Sequence, residues 1–464
     1  MLREHRRFFL WAGLVGLTLR MFFFVYVPSV TDDSRVYIDL ATNWFQQGVY
    51  GQTQPGQIVP VDTRLPGYPA FLAAIFRVFG SGNIRAVLIA QVMLDMVTCI
   101  VIADLARRTV AGRMASRVAF ALAASCPFLA NYATSVLTET LEIFFTAVAL
   151  DCVVAGLDSS ENAVGTATTR WAYWTAGAAI GACILLRPDG GLLLAAVGTY
   201  LAVAVLRNIW NPPSRHSIAL AGILIAAVAL APLVPWTIRN FRTLHHFEPL
   251  APRYANEPEE LTPTGFNRWV KTWIAEYVSV EDIYWNVSGE NIDAGKLPAR
   301  ALDEPGRDET LAAIADYNQT QELTPESDAR FAALAAERIR AHPVRYYIVL
   351  PVLRVADMWL RPRTELFSAD PRWWEFNDER RESALVVGFG VLNLIYVAAA
   401  LLAITRGRSQ LRFLGLMGGF LLLRSVFLGT IENPETRYTL ECYPVLLVWA
   451  AAFLGNEWER RVGG

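Results

Sequence analysis

The sequence predicts an all-α polytopic membrane protein, and three observations carry that prediction. Of the 464 residues 54% are hydrophobic and 18% charged, against roughly 45–50% apolar and about 25% charged in soluble domains. The apolar residues gather into runs long enough to cross a hydrocarbon core about 30 Å thick, which takes about 20 helical residues. The basic clusters between those runs agree on one orientation.

Runs of spanning size lie at 8–28, 84–104, 113–131, 137–157, 171–187, 190–206, 217–237, 385–404, 411–430 and 438–455, which makes about ten spans. The first is a span rather than a signal peptide, because no small-residue cleavage site follows it and Pro28-Ser29-Val30-Thr31-Asp32 leads straight into a folded segment. With Arg3, Arg6 and Arg7 inside, alternation also places inside Arg107, Arg108, Arg113 and Arg117, then Arg207 and Arg215, then Arg406, Arg408 and Arg412, then Arg460 and Arg461. Counting the apolar stretch Tyr346–Leu360 as a further span would push the Arg406–Arg412 cluster outside. It therefore reads as a helix on the outer surface, and both termini as cytoplasmic.

The outer segments are then 29–83, 131–136, 187–190, 239–384 and 431–437. This gives a seven-span N-terminal module over 1–238, with the first outer loop at 29–83. A small, mainly helical extracytoplasmic subdomain follows over 239–384, with an interfacial helix at 345–361, and a three-span module closes the chain over 385–464. Within the subdomain Thr324-Pro325-Glu326 is a helix start, with a capping Thr and Pro in the first turn. Phe331, Leu334, Ala335 and Ile339 then recur at helical spacing. Asn286-Val287-Ser288 and Asn318-Gln319-Thr320 match the glycosylation acceptor pattern.

Lys+Arg 41 nearly cancels Asp+Glu 43, so net charge gives no reason to expect nucleic acid. All five cysteines lie inside apolar runs, which argues against a disulfide scaffold and against a thiolate zinc site. His245-His246 lacks the spacing of a His-Glu-x-x-His site, and no Gly-rich phosphate loop follows a strand-like segment.

Polar groups instead collect at the outer ends of the spans. Thr31-Asp32-Asp33-Ser34-Arg35 opens the first loop, and Tyr37, Leu40, Ala41 and Trp44 make the apolar stripe of an interfacial helix that Gly48 ends. Asp32 and Asp33 also suit the cap and first turn of that helix. Arg64-Leu65-Pro66-Gly67-Tyr68-Pro69 forms a rigid turn into a second surface-hugging segment, 71–76. Glu139 and Glu142 share one face at the head of the fourth span. Arg187-Pro188-Asp189-Gly190 turns between the fifth and sixth, Pro235-Trp236-Thr237-Ile238-Arg239-Asn240 closes the seventh, and Glu432-Asn433-Pro434-Glu435-Thr436-Arg437-Tyr438 lines the last outer turn. Each motif alone has an ordinary structural explanation. Their recurrence on one side calls for a single outward-facing site at membrane level. Arg20, Asp95 and Arg424 are ionisable groups within spans and so functional candidates by default, although Asp95 is equally suited to a hydrogen bond between helices.

Taken in order, the acidic pair, the amphipathic helix, the Arg-x-Pro-Gly-Tyr-Pro turn, Thr138-Glu139, Arg187-Pro188-Asp189, Pro-Trp-x-x-Arg-Asn and Glu-x-Arg-Tyr resemble the type-C-fold glycosyltransferases. The nearest likeness is to bacterial members similar to protein O-mannosyltransferases and aminoarabinose transferases, and it runs from Arg20 to Pro444. The resemblance implies an inverting transfer of a sugar from a polyprenyl-phosphate carrier to a lipid, glycan or protein acceptor at the periplasmic face of a bacterial inner membrane. It implies a first-loop acid, Asp33 or Asp32, that assists the acceptor, and a second acid matching Glu139.

For such a reaction the chain needs a base for the acceptor proton and cations for the departing phosphate. Arg64, Arg187, Arg239 and Arg437 are the phosphate candidates, since a guanidinium fork suits its oxygens, and Tyr68, Asp189 and Tyr438 complete the expected donor and substrate contacts. No cofactor is required; a divalent magnesium or manganese is compatible with Asp32, Asp33 and Glu139. The rival classes are a membrane transporter or lipid flippase of an envelope glycan pathway, whose site would sit near the bilayer midplane, and a non-catalytic scaffold, which would tolerate alanine at the acids.

Overall fold

The computed structural model describes residues 4–162, 167–208, 210, 212–254, 260–367, 369–375 and 380–462; Arg3 of the first basic cluster lies outside them. The chain is helical nearly throughout, and the single sheet among the described residues is a two-stranded hairpin. By internal packing it divides into two compact units, Met1–Ala255 with Tyr396–Leu421 and Leu440–Gly464, and Asn256–Ile395 with Leu422–Thr439. Residues 396–421 and 440–464 of the C-terminal part fall in the first unit and 422–439 in the second.

The first unit begins with α1 (Arg6–Tyr26), α2 (Asp32–Gln47), the hairpin β1 (Gly51–Gln54) and β2 (Gln57–Pro60), and α3 (Gly67–Phe79). It continues with α4 (Ile84–Thr109), α5 (Ala115–Ala124), α6 (Pro127–Tyr132), α7 (Glu139–Asn162), α8 (Ala167–Leu186), α9 (Gly191–Arg207), α10 (Pro212–Leu230) and α11 (Leu233–Leu244). In the second unit α12 (Thr264–Val270), α13 (Tyr277–Asp282), α14 (Arg307–Thr320), α15 (Pro325–Ala341) and α16 (Leu350–Leu360) follow. Helices α17 (Arg380–Arg406) and α18 (Leu414–Leu428) run through both units, and α19 (Tyr443–Val462) ends the chain in the first.

Seven helical stretches are long and apolar enough to cross a membrane: Arg6–Tyr26, Ile84–Thr109, Glu139–Asp158, Pro188–Arg207, Arg215–Leu244, Arg380–Arg406 and Thr436–Arg461. They coincide with seven of the expected runs. By length and composition the described residues therefore supply seven spans rather than ten. The run at 113–131 is split, because Pro127 cannot continue α5 and instead starts the short α6. The run at 411–430 yields the 15 residues of α18, a length of about 22 Å at 1.5 Å per residue. The third is α8, whose Gly177 and Gly181 let α10 approach: a Cβ on either would lie 2.8 Å from Val228 or from the Ala229 carbonyl oxygen. Small residues one turn apart let two helices pack closely.

Expectations for the second unit hold locally. Thr324 caps α15 in a reciprocal box with Ser327, and Phe331, Leu334, Ala335 and Ile339 are all buried. Phe331, Leu334 and Ala335 pack with Phe266, Trp269 and Trp273 into one aromatic-rich core. Helices α12 and α15 nearly touch at Gly265, where the Asp328 carboxylate accepts from the Gly265 and Phe266 amides at 3.0 and 2.8 Å, which satisfies donors at the start of α12. The segment expected as an interfacial helix is a π turn, Arg345–Val349, running into α16. It buries Leu350, Arg354 and Met358 and leaves Tyr347, Ile348, Val352 and Leu353 uncovered. Burial pushes the Arg354 guanidinium down to about 10, against the opposing pull of Tyr346 and Glu432 and with a smaller push from Arg300. Three backbone carbonyls, of Ile274, Gly429 and Lys271, take its N–H groups.

Candidate active site

The cluster starts with how α2 is held. Thr31 caps it, its hydroxyl accepting from the Ser34 amide while the Thr31 amide donates to Ser34 Oγ at 2.9 Å. The expectation that the aspartates supply the cap is thereby corrected: a threonine in extended backbone already fills that role, and both acids fall in the first turn. Gly48 ends the helix at φ 71°, a conformation that costs glycine nothing. Asp39 and Asn43, one turn apart, bind the hairpin: the Thr53 amide donates to Asp39 at 2.7 Å and Asn43 donates to the Gly51 carbonyl at 2.9 Å. The apolar stripe of α2 packs on protein, with Tyr37 and Ala41 against Tyr68 and Leu72, and Leu40 against Tyr50, Val61 and Trp236. Trp44 stays partly exposed.

Two backbone hydrogen bonds then join distant parts of the chain. The Ser29 amide donates to the Thr134 carbonyl at 3.1 Å, and the Val136 amide to the Ser29 carbonyl at 3.2 Å. This bridge sets the start of α2 beside the start of α7, and so brings the first-loop acids to the level of Glu139. Gln91, buried in α4, reinforces it by donating to the Ser135 carbonyl at 2.7 Å and accepting from the Tyr68 hydroxyl at 2.7 Å. Gly67 brings α3 against the end of α8, where a Cβ would lie 2.6 Å from the Leu185 carbonyl oxygen. Arg64, three residues before Gly67, and Arg187, two residues after Leu185, are thereby drawn to the same end of the unit.

Asp32 and Asp33 part company. One step along a helix turns the side chain by about 100°. The Asp32 side chain is 96% exposed and meets Arg35 at 3.2 Å in solvent, whereas Asp33 is 32% exposed and holds Arg64 Nη2 at 3.0 Å. Behind them Arg187 faces three carboxylates, Asp189 at 3.3 Å, Glu142 at 3.7 Å and Glu139 at 3.9 Å. The carboxyl of Glu441 lies beside that of Glu142. Tyr37 links the two groups. Its hydroxyl lies within electrostatic reach of Arg64, Asp33, Arg187 and Glu139, and burial above all pushes it up to about 12, so it stays protonated and able to donate at neutral pH. The Tyr68 hydroxyl is pushed well above its ordinary value by burial, then by Glu139 and Tyr37.

The structure thus brings together Asp33, Arg64, Tyr68, Glu139, Arg187 and Asp189 of the expected residues. Tyr68 is fully buried, with its hydroxyl committed to Gln91, so its place is beneath the site. Arg239 is likewise engaged: it donates to the carbonyls of Val61, at 2.8 Å, and Tyr50, and stacks on the Tyr50 and Trp236 rings. Tyr50 in turn donates to the Arg64 carbonyl at 2.8 Å, so Arg239 steadies the turn that carries Arg64. Asp62 on that turn takes His246 at 2.7 Å, and this hydrogen bond raises the imidazole above its usual range.

Arg437 and Tyr438 belong to the second unit. There both close on Glu435, Arg437 through Nε at 2.6 Å and Tyr438 through its hydroxyl, with the Arg437 guanidinium over the Tyr438 ring.

The intramembrane candidates have structural partners. Arg20 holds Asp95 at 2.5 Å and the Gly16 and Ala124 carbonyls at 2.9 and 2.7 Å, with neither charged group exposed. Arg424, also buried, donates to the Tyr438 carbonyl at 2.9 Å. None of the five cysteines forms a disulfide. Among the described residues no three His, Cys, Asp or Glu side chains converge as metal ligands, and Asp32, turned into solvent, is not available to join Asp33 and Glu139 in one site.

Sequence reasoning missed Tyr37, Gln91 and Glu441 as members of this neighbourhood. Tyr37 read only as one of an apolar stripe. A glutamine inside the 84–104 run and an acid at the head of the last span were signals present in the sequence.

Residues 60–236 match the family model of dolichyl-phosphate-mannose-protein mannosyltransferases. The crystal structure of the Archaeoglobus fulgidus oligosaccharyltransferase tethered with an acceptor peptide aligns with 98% of this chain at a TM-score of 0.55 and 14% identity, covering 50% of that chain. The chain has the type-C glycosyltransferase fold. The S. cerevisiae protein O-mannosyltransferase complex bound to its sugar donor matches 52% of this chain and 34% of its own, at 16% identity and a TM-score of 0.43. ArnT from Cupriavidus metallidurans in the apo state matches 97% of this chain and 76% of its own, at 16% identity and a TM-score of 0.40. No curated protein matches. This chain with the type-C fold therefore spans about half of the archaeal enzyme and about a third of the yeast one.

Proposed function

We propose that the protein is an inverting membrane glycosyltransferase. It passes a sugar from a polyprenyl-phosphate carrier to an acceptor hydroxyl or amide at the outer, periplasmic face of a bacterial inner membrane. The observation that carries this reading is the convergence of Asp33, Arg64, Glu139 and Arg187, from four separate segments, around the Tyr37 hydroxyl. The family match over 60–236 supports it, because that segment contains Arg64, Glu139 and Arg187.

In this mechanism Asp33 takes the acceptor proton as the acceptor atom bonds to the anomeric carbon and the bond from that carbon to the phosphate oxygen breaks. Once protonated, Asp33 no longer holds Arg64. The guanidinium can then turn toward the departing phosphate, whose charge has risen, so base and cation act in one step. Asp33 is preferred to Asp32 because Asp32 faces solvent. The steps are carried by the chain's own residues.

The test is transfer from a synthetic polyprenyl-phosphate sugar by purified wild-type, Asp33→Asn and Asp32→Asn proteins. A base contributes about 10²–10⁴-fold, so Asp33→Asn should lose activity on that scale. A wild-type rate for Asp33→Asn would remove the assignment, and no transfer from any carrier by wild type, with no carrier bound, would remove the reading.

A further inference from the structure

The turn that carries Arg64 has no regular structure of its own. Residues 61–66 lie between β2, which ends at Pro60, and α3, which begins at Gly67, so contacts from elsewhere in the chain must set their position. Those contacts come from the end of α11 and the chain just beyond it. Trp236 packs with Tyr50, Val61 and Leu65, and Arg239 donates to the Val61 carbonyl at 2.8 Å. Asp62, between Val61 and Leu65, takes His246 Nε2 at 2.7 Å.

The backbone around His246 is arranged for this contact. His245 ends α11 in the left-handed region, at φ 61°. Beyond it the chain folds back on the helix: Asn240 Nδ2 donates to the Glu248 carbonyl at 2.8 Å, and Trp236 Nε1 to the Leu250 carbonyl at 3.2 Å. The fold-back leaves the imidazole with an acceptor at each ring nitrogen, the Asp62 carboxylate at Nε2 and the Leu244 carbonyl 3.2 Å from Nδ1. A neutral imidazole donates from one nitrogen, so the imidazolium alone satisfies both.

The charges that face the ring agree, since the first loop presents Asp62 and the segment of His246 itself presents Glu248. The Asp62 hydrogen bond above all raises the imidazole above its ordinary value, against an opposing effect of burial, with the Leu244 carbonyl and Glu248 adding to the rise. A group raised in this way keeps its bond at lower pH and loses it as pH rises through the raised value. The His246 side chain is 53% exposed, and an ion pair so open to water changes an equilibrium by about fivefold at most.

We infer that His246, as an imidazolium between Asp62 and the Leu244 carbonyl, is a positioning residue that steadies the 61–66 turn and so keeps Arg64 opposite Asp33, and that this hold loosens as pH rises. The effect on transfer rests on the glycosyltransferase reading; the hold on the turn does not.

The experiment follows backbone amide exchange over residues 50–66 of purified full-length protein in nanodiscs. It runs from about pH 5.5 to about pH 9, which brackets histidine titration. Protection factors are compared, so the intrinsic pH dependence of exchange cancels. The variants are His246→Lys, which stays cationic throughout, His246→Phe and Asp62→Asn. Wild type should lose about two- to fivefold in protection across the range. His246→Lys should keep a nearly constant protection, while His246→Phe and Asp62→Asn should be weakly protected at every pH. Transfer from the synthetic polyprenyl-phosphate sugar is read in parallel, as the ratio of wild-type to His246→Lys rate at each pH, in which groups common to both proteins cancel. That ratio should fall by about the same two- to fivefold.

Protection that stays flat in wild type overturns the inference, as does an equal fall in wild type and His246→Phe. Should His246→Phe fail to fold, Asp62→Asn decides the same comparison. Protection that follows pH while the rate ratio stays flat also overturns it, because the hold on the turn would not reach Arg64. Wild type whose protection follows pH but which transfers from no carrier leaves the hold standing and defeats the glycosyltransferase reading.

Discussion

Two carboxylate–guanidinium pairs in the first unit have the same chemistry and opposite settings. Arg20 and Asp95 meet at 2.5 Å with side chains 0% and 3% exposed, and the carbonyls of Gly16, Ala124 and Ala123 and the Cys99 sulfur take the remaining guanidinium donors. Arg64 and Asp33 meet at 3.0 Å with side chains 26% and 32% exposed, in a neighbourhood that includes a buried phenol and further charges. A sealed pair with every donor satisfied has nothing to offer a ligand, and its energy goes into fixing α1 against α4 and the end of α5. An open pair can exchange its partner for a substrate. Burial and saturation, and not the presence of charge near a membrane, separate a sealed pair from one that a ligand could reach.

The contrast can be broken in order of expected effect. Asp33→Asn should lower turnover by about 10²–10⁴-fold with melting unchanged; loss of folded protein instead would make the open pair structural. Asp95→Ala leaves Arg20 buried and uncompensated, at a cost of about 3–5 kcal/mol. It should lower the yield and melting temperature of detergent-solubilised protein, and whatever folds should turn over normally. A stable Asp95→Ala protein without activity would overturn the division between the pairs. Gly67→Ala places a methyl group 2.6 Å from the Leu185 carbonyl oxygen. The backbone shift this forces should cost about 1–3 kcal/mol of stability and reduce turnover by displacing Arg64 from Asp33; a neutral outcome would mean that the turn is not positioned by this contact. The smallest effect is expected for Asp32→Asn, a solvent-exposed partner in a surface pair, which should leave transfer within about twofold of wild type.

Much of the fold was legible because hydropathy and capping are local. Apolar runs marked the seven long spans, Thr324-Pro325 marked α15, and Gly48 marked the end of α2. Where local signals conflict, packing decides. The run at 113–131 looked like one span until Pro127 divided it, and the cap of α2 went to Thr31 because a hydroxyl there could reach the Ser34 amide. For the site, residue types were legible, and partnership was not. Arg64 and Arg239 are indistinguishable as arginines flanked by aromatic or proline residues; one ends on a carboxylate beside the cluster, and the other is spent on the carbonyls of Tyr50 and Val61.

The sequence by itself determined that the chain lives in a membrane and where its long apolar spans fall, since these follow from composition and spacing along the chain. Only the tertiary structure decided that Asp33 rather than Asp32 turns inward, that Arg187 is outnumbered by carboxylates, and that Tyr37 stands between the two charged groups. Those outcomes depend on the rotation of α2 and on the bridge from Ser29 to Thr134 and Val136. A contact between residues a hundred positions apart is fixed by how helices pack, and no local pattern encodes it.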